Sequence, residues 1–107
     1  MNQGLFVAIE GLDGAGTTTQ AQILATRWNA RFPSRPAHVT AEPTSGPIGA
    51  LIRQVLRERV AAVDALGQRR AFDRKALALL FAADRLDHQA CEIAPLTSAG
   101  YLVISDR

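Results

Sequence analysis

The chain opens on an unbroken apolar run, Gly4-Leu-Phe-Val-Ala-Ile, that closes on Glu10. A run without alternation predicts a strand buried on both faces, as in a parallel sheet. A glycine-rich turn follows, and the period then changes. From about Gly16 to Phe32, apolar Ala21, Leu24, Ala25, Trp28 and Phe32 recur at three- and four-residue spacing, the signature of a helix with one apolar face. Pro33 and Pro36 end it. Residues 37–41 predict a second strand, and Glu42-Pro-Thr-Ser-Gly-Pro47 a loop. Pro47 suits the first turn of the next helix, where its missing N–H costs nothing. Ile48, Leu51, Ile52, Val55 and Leu56 form that helix's stripe, with Arg53, Arg57, Glu58 and Arg59 mostly off it. The stripe lapses around Asp64–Arg70, where Gly67 marks a connection. A long helix is predicted from about Asp73 to Ile93, with Pro95 and Gly100 at its exit. Tyr101-Leu-Val-Ile-Ser105 reads as a third strand running into Asp106 and Arg107.

The order β-α-β-α-α-β implies an α/β fold with parallel strands joined by right-handed helical crossovers. There is no internal repeat, low-complexity segment or linker, so residues 1–107 read as part of one domain. Three strands make a small sheet, and the last residues lie where ligand sites gather in such sheets, just past a strand's carboxyl end. The expectation is a fragment of a longer fold.

Composition narrows the partners. Apolar residues make up 48% of the 107, enough for a packed core. A net charge of +2 is too small for a nucleic-acid footprint. All of the 12 basic side chains but Lys75 are arginines, which suit bidentate recognition of phosphate and carboxylate. Cys91 stands alone, excluding an internal disulfide or a thiolate metal site and fitting a reducing, cytoplasmic setting. No signal-peptide pattern is present, and no apolar run approaches the ~18–20 residues of a membrane span.

The turn after the first strand carries the chemistry. Gly11-Leu12-Asp13-Gly14-Ala15-Gly16-Thr17-Thr18 has the glycine spacing of a phosphate-binding loop, Gly-x4-Gly-Lys-[Ser/Thr], between a buried strand and a helix. Backbone amides of such a loop converge on one anion, and the helix dipole adds to the attraction. Thr18 stands where a hydroxyl contacts Mg²⁺. Position 17 departs from the pattern: it holds threonine where the motif has lysine. The backbone cradle survives that change, but the lysine's charge on the β/γ-phosphates is lost.

Four segments together resemble the thymidylate kinase family: Phe6–Gly16 with Thr18-Thr-Gln20, then Glu42-Pro-Thr44, then Leu79-Leu-Phe-Ala-Ala-Asp-Arg85, then Val103-Ile-Ser-Asp-Arg107. The resemblance implies a P-loop fold whose five-stranded parallel sheet has the order 2-3-1-4-5, continuing into a lid and two further strands. It implies transfer of the γ-phosphoryl group of ATP to dTMP with Mg²⁺, by a homodimer. In that order the P-loop strand is central, so in residues 1–107 alone it becomes an edge.

The resemblance also assigns residues. It implies that Asp106 holds Mg²⁺ or its waters together with Thr18, and that Arg107 clamps phosphate; these two are the catalytic candidates. Phe81 and Arg85 are four apart on one helix face. Spacing alone reads them as a core aromatic and a surface ion pair, whereas the matching string implies stacking on thymine and a bond to its carbonyl. Asp13 is implied to bond the deoxyribose 3′-hydroxyl, and Glu42 lies beside the substrate. Arg53 reads either as a neighbour of the monophosphate or as a solvated helix arginine. His38 and His88 read as structural or exposed, and Trp28 as core. Ala41 is neutral where many relatives are basic, as is Thr17. Both departures favour an alternative: a kinase-derived nucleotide-binding or regulatory module with weakened catalysis.

Overall fold

The computed structural model describes residues 3–12 and 14–107. Along the chain the elements are β1 (Leu5–Ile9), α1 (Thr17–Arg31), β2 (Ala37–Ala41), α2 (Pro47–Leu56), β3 (Ala62–Val63), β4 (Arg69–Arg70), α3 (Arg74–His88), a π-helical turn (Gln89–Ile93), α4 (Ala94–Ser98) and β5 (Leu102–Asp106). They form two compact units, one of Met1–Glu42 with Gln89–Arg107 and one of Pro43–His88.

The first unit holds a parallel sheet of order β1-β5-β2. Leu102 of β5 lies opposite both Leu5 and Ala37, and Asp106 opposite both Ile9 and Ala41, so all three strands end level. This order is the 2-3-1 portion expected from the resemblance. The central β5 is the strand buried on both faces: Leu102, Val103, Ile104 and Ser105 are all inaccessible or nearly so. Full burial of a side chain such as Ile104 contributes about 1.5–3 kcal/mol.

β1 does not meet the expectation of burial on both faces. Its Leu5 and Phe6 are 54% and 39% exposed. The reason is its place at the sheet edge, with a strand on one side only among the described residues. An apolar edge with unpaired amides and carbonyls is a template for intermolecular pairing. A polypeptide of residues 1–107 is therefore expected to elute from size exclusion as species larger than a monomer. A sharp monomer peak with a cooperative melt would count against this.

α1 covers one sheet face. Ala21 and Ala25 are buried against Leu102 and Ile104, with Val7, Ile9, Leu24, Trp28, Ala37 and Val39 packed around them. Two alanines at the centre of the helix face let its backbone approach the sheet. Trp28 is partly buried, and its indole N–H donates to the Arg35 carbonyl at 2.6 Å. Phe32, read as the last of the stripe, is 40% exposed because the helix has ended; it packs against the Trp28 ring instead, at 4.6 Å between centroids.

In the second unit α2 packs against α3. Gly49, Ile52 and Val55 are buried, whereas Leu51 and Leu56 of the expected stripe are 37% and 55% exposed. The connection predicted over Asp64–Arg70 is a tight turn between two very short antiparallel strands, β3 and β4, which the sequence reading did not anticipate. Asp64 builds the turn: its Oδ1 accepts from the amides of Leu66 and Gln68, each at 2.9 Å, and its Oδ2 from Arg70 Nε at 2.9 Å. The Gln68 amide first, then Arg70, hold its carboxyl below the ordinary carboxylate range. Gly67 supplies the left-handed residue, at φ +81°.

The last helical stretch runs further than expected. Pro95 was read as an exit, but helix continues to Ser98. The π-helical turn resets the hydrogen-bond ladder, so Pro95 falls in the first turn of α4, where no N–H is needed.

Candidate functional site

All three strands of the first unit end at one edge, and the functional candidates of that unit collect there. After β1 the chain turns sharply, with the Ala15 amide donating to the Leu12 carbonyl at 2.9 Å. Gly14 and Gly16 have φ +80° and +85°, and a Cβ on either would meet nothing within 4 Å. The left-handed backbone, not crowding, is what requires glycine there. Gly16 caps α1 with no side-chain cap bond, and no acidic residue lies in the first turn. Among the described residues, no side-chain cap occupies the start of α1, and the positive end of a helix dipole favours an anion there. Asp13, the expected deoxyribose contact, lies outside the described residues.

Asp106, at the end of β5, meets this loop. Its Oδ2 accepts from the Thr18 hydroxyl at 2.6 Å. Its carboxyl lies below the ordinary range, held there first by the Thr18 hydroxyl and second by that of Thr17, against a smaller opposing effect of burial. A hydroxyl and a carboxylate side by side are hard oxygen donors of the kind Mg²⁺ takes along with waters, so the residues present fit that ion.

Arg107 follows. Its amide donates to the Ile9 carbonyl at 3.0 Å. Its Nη1 pairs with Glu10 Oε1 at 3.2 Å and its Nη2 with Glu42 Oε1 at 3.5 Å. The Glu42 side chain is 7% exposed and the Glu10 side chain 66%. The Arg107 Nε is buried without a hydrogen-bond partner among the described residues. Glu10 ends the apolar run and lies within the family-like segment Phe6–Gly16; the signal that marks it is a carboxylate placed directly before the glycine loop.

A second cluster of the same unit joins β2 to the π-helical turn. The Thr40 hydroxyl donates to Glu92 at 2.8 Å, and His38 Nε2 lies 3.3 Å from the same carboxylate. His88, in α3, is 2% exposed. Of the two histidines expected to be structural or exposed, His38 is half-buried and His88 buried.

The second unit carries the other candidates. Thr44, of the Glu42-Pro-Thr segment, donates from its amide to Asp84 Oδ2 at 2.8 Å and from its hydroxyl to Asp84 Oδ1 at 2.7 Å. Both residues are buried. Two of the four family-like segments are therefore tied directly to each other, through Asp84, which the sequence reading passed over. A carboxylate inside an apolar helical string is the signal that could have found it, since a buried charge must have partners. Arg53 is half-buried and donates to the Thr44 carbonyl at 2.5 Å and to that of Pro43. It is a brace for this loop rather than a solvated arginine. Phe81 and Arg85 lie on the outward side of α3, Phe81 at 36% exposure, as an aromatic and a guanidinium four residues apart.

Among the described residues there is no helix long and apolar enough to cross a membrane. The thymidylate kinase family profile matches residues 9–107. The chain is 42% identical over 107 residues to a probable thymidylate kinase of Pyrococcus horikoshii, covering 98% of the chain and 48% of that protein. It is 43% identical over 106 residues to the thymidylate kinase of Bifidobacterium longum, covering 97% and 47%. The chain thus spans about half the length of the curated relatives it matches. Among solved structures, thymidylate kinase from Candida albicans aligns with a TM-score of 0.73 and 33% identity, over 98% of this chain and 40% of that one. Thymidylate kinase from Ehrlichia chaffeensis aligns with a TM-score of 0.77 and 27% identity, over 98% and 54%. The parallel sheet with its glycine loop is the P-loop fold of these proteins, and the chain belongs to the thymidylate kinase family.

Proposed function

We propose that the complete gene product is a thymidylate kinase that transfers the γ-phosphoryl group of ATP to dTMP, giving dTDP. The observation that carries this reading is the Thr18–Asp106 pair at 2.6 Å beside an uncapped helix start, which combines an anion cradle with a pair of metal-fitting oxygens. Backbone amides over Gly11–Thr18 hold the nucleotide phosphates. Thr18 and Asp106 hold Mg²⁺ or its waters; when bound, that ion neutralises charge on the phosphate oxygens. Arg107 orients phosphate, Phe81 stacks on thymine, and Arg85 bonds its carbonyl. Asp13 contacts the deoxyribose. Glu42 and Arg53 keep the adjacent loop in place. In such a reaction the protein's work is positioning and electrostatic stabilisation. The reading includes a cytoplasmic homodimer without nucleic-acid or membrane partners.

A second reading is favoured by one observation: position 17 holds a threonine, which brings no positive charge to the loop. A nucleotide-binding module without catalysis would look the same at this position. Turnover separates the two. The gene product is expected to form dTDP from ATP and dTMP, with Thr17→Lys changing kcat by less than about tenfold, or ~1.4 kcal/mol. No detectable dTDP from the native protein, restored by lysine, would sink the claim that the missing charge is supplied elsewhere in the gene product.

A further inference from the structure

We propose that Glu10 is a latch on Arg107: the buried Glu42 keeps the guanidinium in place, and the exposed Glu10 releases it to an incoming phosphate. The proposal rests on the reading above only for the identity of the anion as a nucleotide phosphate. Arg107 pairs with both carboxylates through separate nitrogens, Nη1 with Glu10 and Nη2 with Glu42. With a carboxylate on each of its two terminal nitrogens, the Arg107 guanidinium is already paired, and one carboxylate must withdraw before it can take an incoming anion. The two are not equally able to do so. Glu42 is 7% exposed at its side chain, and Pro43 directly after it restricts its backbone. Glu10 is 66% exposed and can turn into water without loss of solvation.

An exposed ion pair contributes little, whereas a phosphate oxygen paired with arginine makes a shorter, stronger charge-assisted bond. Phosphate therefore displaces Glu10 and not Glu42. Glu10 also lies directly before Gly11, so the pair adjoins the phosphate loop in the chain. Until it is displaced the pair holds Arg107 from turning into solvent, so no search for its orientation is needed when phosphate arrives.

The two carboxylates thus act in opposite directions, which a merely structural role would not produce. The test is the calorimetric affinity of the complete gene product, as native protein and as Glu10→Gln and Glu42→Gln, for pyrophosphate. Glu10→Gln is expected to tighten binding by about two- to tenfold, with the gain shrinking as salt rises. Glu42→Gln is expected to weaken it by a similar factor. Weaker or unchanged binding by Glu10→Gln, or tighter binding by Glu42→Gln, would overturn the proposal. Should Glu42→Gln fail to fold, Glu10→Ala decides: it must also tighten binding, and anything else overturns the latch. Affinity for pyrophosphate is read without turnover. Opposite shifts in a protein that forms no dTDP would therefore sink the kinase reading and leave the latch standing; turnover without the shifts would do the reverse.

Discussion

Replacing Asp106 with alanine in the complete gene product is expected to lower kcat for dTDP formation by about 10²–10³-fold, the range found when one preorganised electrostatic group is removed from an active site. The expectation rests on a single contact. Thr18 lies in the first turn of α1 and Asp106 closes β5, and they meet at 2.6 Å although 88 residues separate them in sequence. Alanine removes the negative oxygen of the pair, and the Mg²⁺ concentration needed for half-maximal rate should rise with the fall in kcat. Asp106→Asn separates charge from shape, because an amide oxygen still accepts from Thr18. Activity near that of alanine assigns the effect to charge; activity near that of the native protein would overturn the metal-holding role. Asp106→Ala combined with Thr18→Ala should cost much less than the two single effects multiplied, since both disable one pair.

The pH dependence has a definite sign. The Thr18 and Thr17 hydroxyls lower the Asp106 carboxyl from its ordinary value of 3.8. A lowered carboxyl favours the fold at pH values above 3.8, and that contribution is lost as pH falls through the still lower folded value. Near neutral pH the group is already ionised, so an acidic limb there in the rate profile of the proposed reaction would have to come from another residue.

What the residues disclosed in advance follows from how local each signal is. The glycine loop was legible because its spacing, the apolar strand before it and the periodic helix after it lie within 32 consecutive residues. Parallel pairing was legible from helices alternating with strands, but the level ends of β1, β2 and β5 were not, and the meeting of Asp106 with Thr18 was implied only by the family resemblance. The paired β3 and β4 were not legible: two residues each are too few for a period, and only Asp64 and Gly67 marked the turn. The π-helical turn was hidden because its residues are ordinary helix formers; the compensation it makes for Pro95 exists only in three dimensions. Glu10, Arg53 and Asp84 were missed or misread for one shared reason. Each owes its role to a partner that sequence spacing does not bring near: Arg107, the carbonyls of Pro43 and Thr44, and the amide and hydroxyl of Thr44. A charged residue's burial decides whether it is solvated or structural, and burial is a property of the fold.

The second large effect is expected at Gly49, in α2. A Cβ there would lie 2.0 Å from the Thr44 carbonyl oxygen and 2.7 Å from the Thr44 carbon and nitrogen. All three are backbone atoms, so no side chain can swing aside. Nor can Thr44 itself retreat cheaply. Its amide and hydroxyl are held by the buried carboxylate of Asp84, and its carbonyl by Arg53. Relief requires either breaking those bonds, which leaves buried polar groups unpaired, or moving α2 away, which opens the packing of Ile52 and Val55. Gly49→Ala should therefore destabilise the protein by about 3 kcal/mol or more, at the upper end for overpacked sites, despite alanine's better helix propensity. Gly67→Ala is the control. Gly67 adopts φ +81° with open space around it, so only backbone strain of about 1 kcal/mol is at stake. Chemical denaturation of the two variants should show Gly49→Ala shifted well beyond Gly67→Ala. Equal midpoints would mean that α2 has room at Gly49 for a methyl group beside the Thr44 backbone. Because Thr44 adjoins Glu42 and Pro43, any Gly49→Ala protein that still folds should also bind dTMP more weakly than Gly67→Ala does. The helix that braces this loop would then be setting the substrate's surroundings without touching it.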